Sequence, residues 1–159
     1  MRYPHLVILE GDGTLARQLA ELAAEGRWLV RETKSADAAL TLAREHRPGV
    51  LVVQFDPAAD QPAPFGLIAD AHGHAPDVPV VAVSDAKLPD ADKAAWAATL
   101  MDLGARYVIF PPLSQAVLED VVSGLMAASV RRVIGRDAGE ESAKPGEEVI
   151  DLANAGAAE

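Results

Sequence analysis

Short apolar runs alternate with helix-period patterns along most of the chain. HLVILE (5–10) is a run rich in branched residues, as a buried strand requires. TLARQLAELAAEG follows, with Leu15, Leu19 and Leu22 on one face and Gly26 as a stop. RWLVRET (27–33) predicts a second strand. SADAALTLAREH predicts a second helix, capped by Ser35, with Ala36, Ala39, Leu40 and Ala43 inward. GVLVVQF (49–55) is apolar on both faces and predicts a third strand. DPAADQPAP is a proline-rich loop, and FGLIADAHG predicts a short third helix. VPVVAVS (78–84) predicts a fourth strand. DAKLPDADKAAWAATLMDLG predicts a loop and a fourth helix, with Asp90 or Asp92 as its cap. ARYVIF (105–110) predicts the fifth strand, PPL a turn, and SQAVLEDVVSGLMAASVRRVIGR a long last helix.

Five strand–helix repeats with almost continuously apolar strands predict a parallel sheet covered on both faces. The fold class is therefore α/β, a doubly wound five-stranded parallel sheet of flavodoxin-like (βα)5 form. In such sheets function gathers outside the carboxyl ends of the strands. Those ends are Glu10–Asp12, Gln54–Asp56, Ser84–Asp85 and Phe110–Pro112.

Composition narrows the picture. The 159 residues suit one domain, placed at 1–136. Residues 137–159 carry seven acids against one lysine and few bulky groups, so they are expected to form a disordered acidic tail. EEVIDLANA within it is a candidate docking segment. Half the residues are hydrophobic and only 4% are aromatic, so the core should be aliphatic. The net charge of −10 argues against whole-surface nucleic-acid binding, which needs clustered Lys and Arg. There is no cysteine, which excludes disulfides, thiolate metal sites and cysteine nucleophiles. No window approaches the ~20 apolar residues of a membrane span. The expectation is a cytoplasmic protein without a membrane or nucleic-acid partner.

The turn after the first strand is open to two readings. Gly11-x-Gly13-x-x-Ala16, with Glu32 about twenty residues beyond, has the outline of a dinucleotide-binding turn. Glu10 and Asp12 flank those glycines with negative charge, which opposes a pyrophosphate. The same residues also suit a tight acidic turn, with Asp12 near the positive end of a helix. No nucleophile–base pair stands out. His5, His46, His72 and His74 fall at strand starts and helix ends, away from the carboxyl edge and from Ser84.

The order of these strand ends resembles the receiver domain of two-component response regulators (the CheY-like superfamily), over residues 4–127. The resemblance implies an acidic turn at Glu10, Gly11 and Asp12, a phospho-acceptor position at Gln54, and a hydroxyl position at Ser84. It puts the family's Lys-Pro pair at Pro111 and Pro112. The departures are chemical. The neutral amide of Gln54 cannot form an acyl phosphate, which needs a carboxylate nucleophile. The hard oxygens of a divalent-cation site are depleted. The lysine position holds proline, and the switching aromatic of the fifth strand falls at Val108. Asp56, two residues beyond Gln54, is the alternative acceptor, or the first residue of an Asp-Pro turn.

These departures imply a degenerate pseudo-receiver: non-enzymatic, phosphorylation-independent, with no cofactor and no bound metal. It is expected to work through protein contacts, with a signalling partner or as a homodimer. The resemblance implies that output runs through the fourth helix, fifth strand and fifth helix, with Trp96, Leu100, Tyr107, Val108, Leu125 and Val133 as the expected face. Trp96 has two readings there, partner anchor or core residue packed with Leu100. The last helix continues an apolar stripe through ASVRRVIG, with Arg131, Arg132 and Arg136 as a small basic patch, so about two turns are expected to protrude for docking. Two other readings stay open: a nucleotide sensor using Gly11-x-Gly13, and a conventional receiver phosphorylated at Asp56.

Overall fold

The computed structural model describes residues 3–142, and side chains as far as Arg136. Elements follow the predicted order: β1 (His5–Leu9), α1 (Thr14–Gly26), β2 (Leu29–Thr33), α2 (Ala36–Glu45), β3 (Gly49–Gln54), α3 (Ala63–His74), β4 (Val80–Val83), α4 (Asp90–Leu103), β5 (Tyr107–Ile109) and α5 (Gln115–Ser142). All strand pairs are parallel, in the order β2-β1-β3-β4-β5. The sheet direction of winding therefore reverses between β1 and β3, which opens a crevice at their carboxyl ends.

The strands divide their side chains between two cores. Val7 and Leu9, Leu51 and Val53, and Val80 and Ala82 join one cluster with Ala39, Ala43, Leu67, Ile68 and Leu100, under α2, α3 and α4. Leu6 and Ile8, Val50 and Val52, and Val81 and Val83 join the other with Leu15, Leu19, Leu118 and Val122, under α1 and α5. Alternate residues of one strand point to opposite faces. A strand apolar at every position therefore makes a three-layer α/β/α sandwich.

Helix ends show where local signals held and where they did not. Ser35 caps α2 as expected, its Oγ accepting from the Ala38 N–H at 3.2 Å. Gly26 is the last residue of α1, but the left-handed residue that stops it is Arg27, at φ 58°. Gly26 suits the position for another reason: the Trp28 indole fills the space a Cβ would take. Neither Asp90 nor Asp92 caps α4, whose N-cap is Pro89. Both acids sit in its first turn, where they suit the helix dipole.

The last helix departs most. It runs to Ser142, past the boundary expected at residue 137. Residues 143–159, with EEVIDLANA, lie outside the described residues. The ASVRRVIG segment is tied down through polar side chains, although Ile134 within it is 61% exposed, as the expected docking stripe requires. Ser129 is buried, and its hydroxyl both accepts from the Gly49 N–H and donates to the Gly49 carbonyl, each at 3.2 Å. Arg132 donates to the Asp77 carbonyl at 3.4 Å, and Arg136 pairs with the Asp77 carboxylate at 3.2 Å. The same carboxylate meets Arg47 at 3.4 Å. Two of the three arginines of the expected basic patch thus clamp α5 to the amino edge of the sheet.

Candidate functional site

The carboxyl ends of β1 and β3 bring Glu10, Gly11, Asp12 and Gln54 together. Glu10, the first residue after β1, is 3% exposed. Its carboxylate folds back onto the start of α1, accepting the Leu15 N–H on Oε1 and the Ala16 N–H on Oε2, both at 2.8 Å. The first N–H groups of a helix have no partner within it. Glu10 supplies two of them across the glycine turn, a cap that local sequence rules miss because it lies several residues upstream of the helix. Burial pushes the Glu10 carboxyl up, the two N–H donors pull it down, and neighbouring Glu32 adds to the rise. Asp12 Oδ1 accepts the Thr14 N–H at 3.1 Å, which holds its carboxyl below the usual range.

Gln54 ends β3 and reaches into this turn. Its Oε1 accepts the Gly11 N–H at 3.1 Å, and its Nε2 donates to Asp12 Oδ1 at a long 3.4 Å. An amide suits both partners, because it offers one acceptor and one donor. A carboxylate would offer acceptors only, one of them facing Asp12.

Asp56 is exposed, and its Oδ1 accepts the Ala58 N–H at 2.9 Å, the geometry of an Asp-initiated turn. A cavity of about 220 Å3 is lined by Asp12, Gln54, Phe55, Asp56, Gln61, Pro64 and Asp85. No group of three or more metal-ligating side chains converges among the described residues. Ser84 is fully buried, and its hydroxyl accepts the Ala86 N–H at 3.1 Å. The Gln54 amide makes no hydrogen bond to it among the described residues. At the turn after β5, Pro111 is half-buried and Pro112 exposed. A lysine does reach this turn, from another element: Lys93 of α4 donates to the Pro111 carbonyl at 3.3 Å and stands 4.0 Å from Asp90.

Solved structures share this architecture. A response regulator receiver domain protein (CheY-like) from Methanospirillum hungatei aligns with TM-score 0.62 and 14% identity, over 83% of this chain and 99% of its own. The Francisella response regulator 1452 receiver domain aligns with TM-score 0.59 and 17% identity, over 79% and 98%. The chain has the receiver fold. A structure described as adenylate cyclase from Rhodopirellula baltica is also similar, with TM-score 0.64 and 11% identity over 88% and 98%. No protein-family model matches the chain, and no curated protein matches it in sequence.

On the receiver fold the face of α4, β5 and α5 differs from the expected one. Leu100 is fully buried and Leu125 nearly so, each inside a core, so neither can meet a partner. Trp96 is half-buried and turned towards α3, stacked on Phe65 with centroids 5.6 Å apart. Phe55 lies 6.2 Å from Trp96, 6.0 Å from Phe65 and 5.8 Å from Phe110. All three phenylalanines of the chain thus join one tryptophan in a packed corner above β3 and β5. Trp96 packs on phenylalanines and remains half-exposed, so it has features of both readings, core residue and partner anchor. Val108 and Val133 are half-buried. Tyr107 is 45% exposed, and it is joined by two residues sequence reasoning passed over, Met101 at 48% and Val117 at 49%. Helical periodicity did not mark Met101, because α4 is short of a clear apolar stripe, and Val117 of α5 falls beside the stripe of that helix. No helix among the described residues is long and apolar enough to cross a membrane.

Proposed function

We propose that the chain is a phosphorylation-independent pseudo-receiver. It acts as a non-enzymatic protein–protein interaction module in bacterial-type two-component signalling in the cytoplasm. It pairs with a signalling protein or with a second copy of itself through Met101, Tyr107 and Val117 on the α4–β5–α5 face.

One observation carries the reading: an amide that is already satisfied occupies the acceptor position. The Gln54 side chain is spent on Gly11 and Asp12. It presents no carboxylate to a phosphoryl group. Two further features agree with it. Ser84 is engaged by its own loop, and the corner where an aromatic rotor would swing is filled by Phe55, Phe65, Trp96 and Phe110. Ring packing of this kind ties the rotamer of each aromatic to those of its neighbours. The domain spans 1–136 in this reading, with the chain beyond the helix as an appendage.

Incubation with acetyl phosphate and Mg2+, followed by intact-mass measurement, tests the proposal. The expected result is no phosphoryl adduct. A stoichiometric adduct that disappears in Asp56→Asn would establish the conventional receiver instead. The nucleotide reading is disfavoured by the filled helix terminus. Glu10 and Asp12 already occupy the N–H groups that a pyrophosphate would need. A thermal-shift series with nucleotides checks it, and no shift is expected from binding at the Gly11-x-Gly13 turn.

A further inference from the structure

The opposite edge of the sheet holds a second, chemically inverted site. β1 and β2 start side by side, with His5 in register with Leu29. The end of α2 and the turn into β3 return over them. Together they frame an open groove of about 620 Å3, lined by Arg31 from β2, Arg44 and Glu45 from α2, His46 and Arg47 from the turn, and His5, Tyr3 and Leu29. Three guanidiniums face one carboxylate there, in a chain with only fourteen Lys and Arg and a net charge of −10.

Fold stability accounts for this gathering of cations only in part: Arg44 suits the carboxyl end of the α2 dipole and Arg47 pairs with Asp77, while Arg31 has no such role. Arg31 and Arg44 are exposed and form no ion pair among the described residues. Arg47 meets Asp77 through one terminal nitrogen, while its Nε is buried with no hydrogen-bond partner among the described residues. The terminal nitrogens of Arg47 are therefore its groups that can meet a ligand, and one of them is shared with Asp77. His5 and His46 stack face to face, with centroids 4.2 Å apart and planes 13° apart. His5 Nδ1 lies 3.0 Å from the Tyr3 carbonyl, which leaves Nε2 to serve as the other polar atom of the ring. Burial lowers the His5 pKa, and His46 and Arg31 lower it further, so the local field already disfavours another positive charge. An entering anion reverses that field. Tyr3 and Leu29, both exposed, add an apolar wall for a carbon skeleton.

We propose that this amino-edge groove binds a small organic anion carrying two or more negative charges, held by Arg31, Arg44 and Arg47. Guanidinium forks fit phosphate and carboxylate oxygens alike. The volume lies in the range of small-molecule sites. A long polyanion such as nucleic acid is a poorer fit, because the surrounding surface of this acidic chain would repel its phosphates. The site does not depend on the state of the Gln54 pocket, and the two proposals stand or fall separately.

Isothermal titration of the whole protein with pyrophosphate, and separately with citrate, tests the assignment. Saturable one-to-one binding of at least one of them is expected. Pyrophosphate alone would mark the natural ligand as a phosphate ester, citrate alone as a polycarboxylate. The double substitution Arg31→Gln, Arg44→Gln should weaken binding tenfold or more, as loss of charge-assisted hydrogen bonds implies. Both residues are exposed, so its thermal midpoint without ligand should match the parent. Lys34→Gln, at the far edge of the sheet, should leave binding unchanged. Absence of saturation with both anions overturns the proposal, as does equal binding by the double variant.

Discussion

The two ends of one sheet make opposite use of charge. At the carboxyl end, Glu10, Asp12, Glu32, Asp56 and Asp85 crowd the exits of β1 to β4, and three of the five are engaged by their own turns. Glu10 closes the start of α1, Asp12 closes the turn, and Asp56 closes its own loop. At the amino end, Arg31, Arg44 and Arg47 surround a stacked histidine pair, and much of their hydrogen-bonding capacity is unspent among the described residues. Between them, β1, β3 and β4 are mostly Val, Leu and Ile, while β2 carries Arg31 and Glu32. A fold whose ligands are expected at one edge has here satisfied that edge internally and left valence open at the other. Proximity of charged groups is thus a weaker sign of a binding site than the count of polar atoms still lacking a partner.

The largest effect should come from removing the internal satisfaction at the acidic edge. Glu10→Ala strips the acceptors from two N–H groups at the start of α1, one of them buried. Each orphaned donor costs about 1–3 kcal/mol, so the thermal midpoint should fall by roughly 10 °C. Glu10→Gln keeps one acceptor and should lose about half as much. Circular dichroism melts of both variants check this. Equal losses would mean that charge, not hydrogen bonding, holds the turn.

Next in size is Gln54→Asp. It sets a carboxylate against Asp12 and removes the Nε2 donor, which should lower stability by about 1 kcal/mol without divalent ions. Mg2+ should restore the variant and leave the parent unmoved, since paired carboxylates are what a hard cation selects. Melts with and without Mg2+ decide it. A parent protein that gains as much as the variant would show a cation site that Gln54 does not spoil.

The pH response of the acidic edge follows from two carboxyls with opposite shifts. The Glu10 pKa is raised from 4.5 on folding, so the folded state binds that proton more tightly. Its contribution favours folding at low pH and is lost as pH rises through 4.5 to the raised value. The Asp12 pKa is lowered from 3.8, so its contribution is present above 3.8 and lost as pH falls towards the folded value. Glu32→Gln removes one cause of the Glu10 rise and should flatten the loss above pH 4.5. Urea midpoints measured across that interval test the sign.

Much of this was readable from residues alone, for identifiable reasons. Strands apolar at every position leave only a sheet covered on both faces, and the two alternating cores follow. Gln54 was legible as the polar residue that ends β3, because the apolar run GVLVV stops at it. Its partners were not, since Gly11 and Asp12 approach it only after the chain folds. Nor was the partner of Ser84, whose hydroxyl accepts the Ala86 N–H of its own loop. Lys93 was missed because it arrives from a different element than the proline pair it faces. The last helix misled in part, for a similar reason. An apolar stripe and three arginines read as an exposed docking face until Asp77, more than fifty residues away, is seen to hold two of them. His5 and His46 were set aside for standing away from the carboxyl edge, although the amino edge is where the unspent valence lies.

The smallest effect separates the clamp at the amino edge from the groove beside it. Asp77 holds Arg47 and Arg136 with its carboxylate, and Arg132 through its carbonyl, so Asp77→Asn weakens two ion pairs and keeps the backbone contact. Partly exposed pairs of this kind are worth about 0.2–1 kcal/mol each, so global stability should fall by no more than about 1 kcal/mol. Amide exchange along α5 beyond Ser129 should quicken more than exchange in β1 or β3, because the anchor is local. Arg47, released from its carboxylate, becomes available to the groove. Pyrophosphate or citrate should then bind Asp77→Asn a few-fold more tightly than the parent, while the Arg31, Arg44 double variant binds more weakly. Opposite signs from two substitutions on the same rim would tie the anion to the guanidiniums themselves. Matching losses would mean instead that the helix clamp, by shaping the groove, matters more than the charge it withholds.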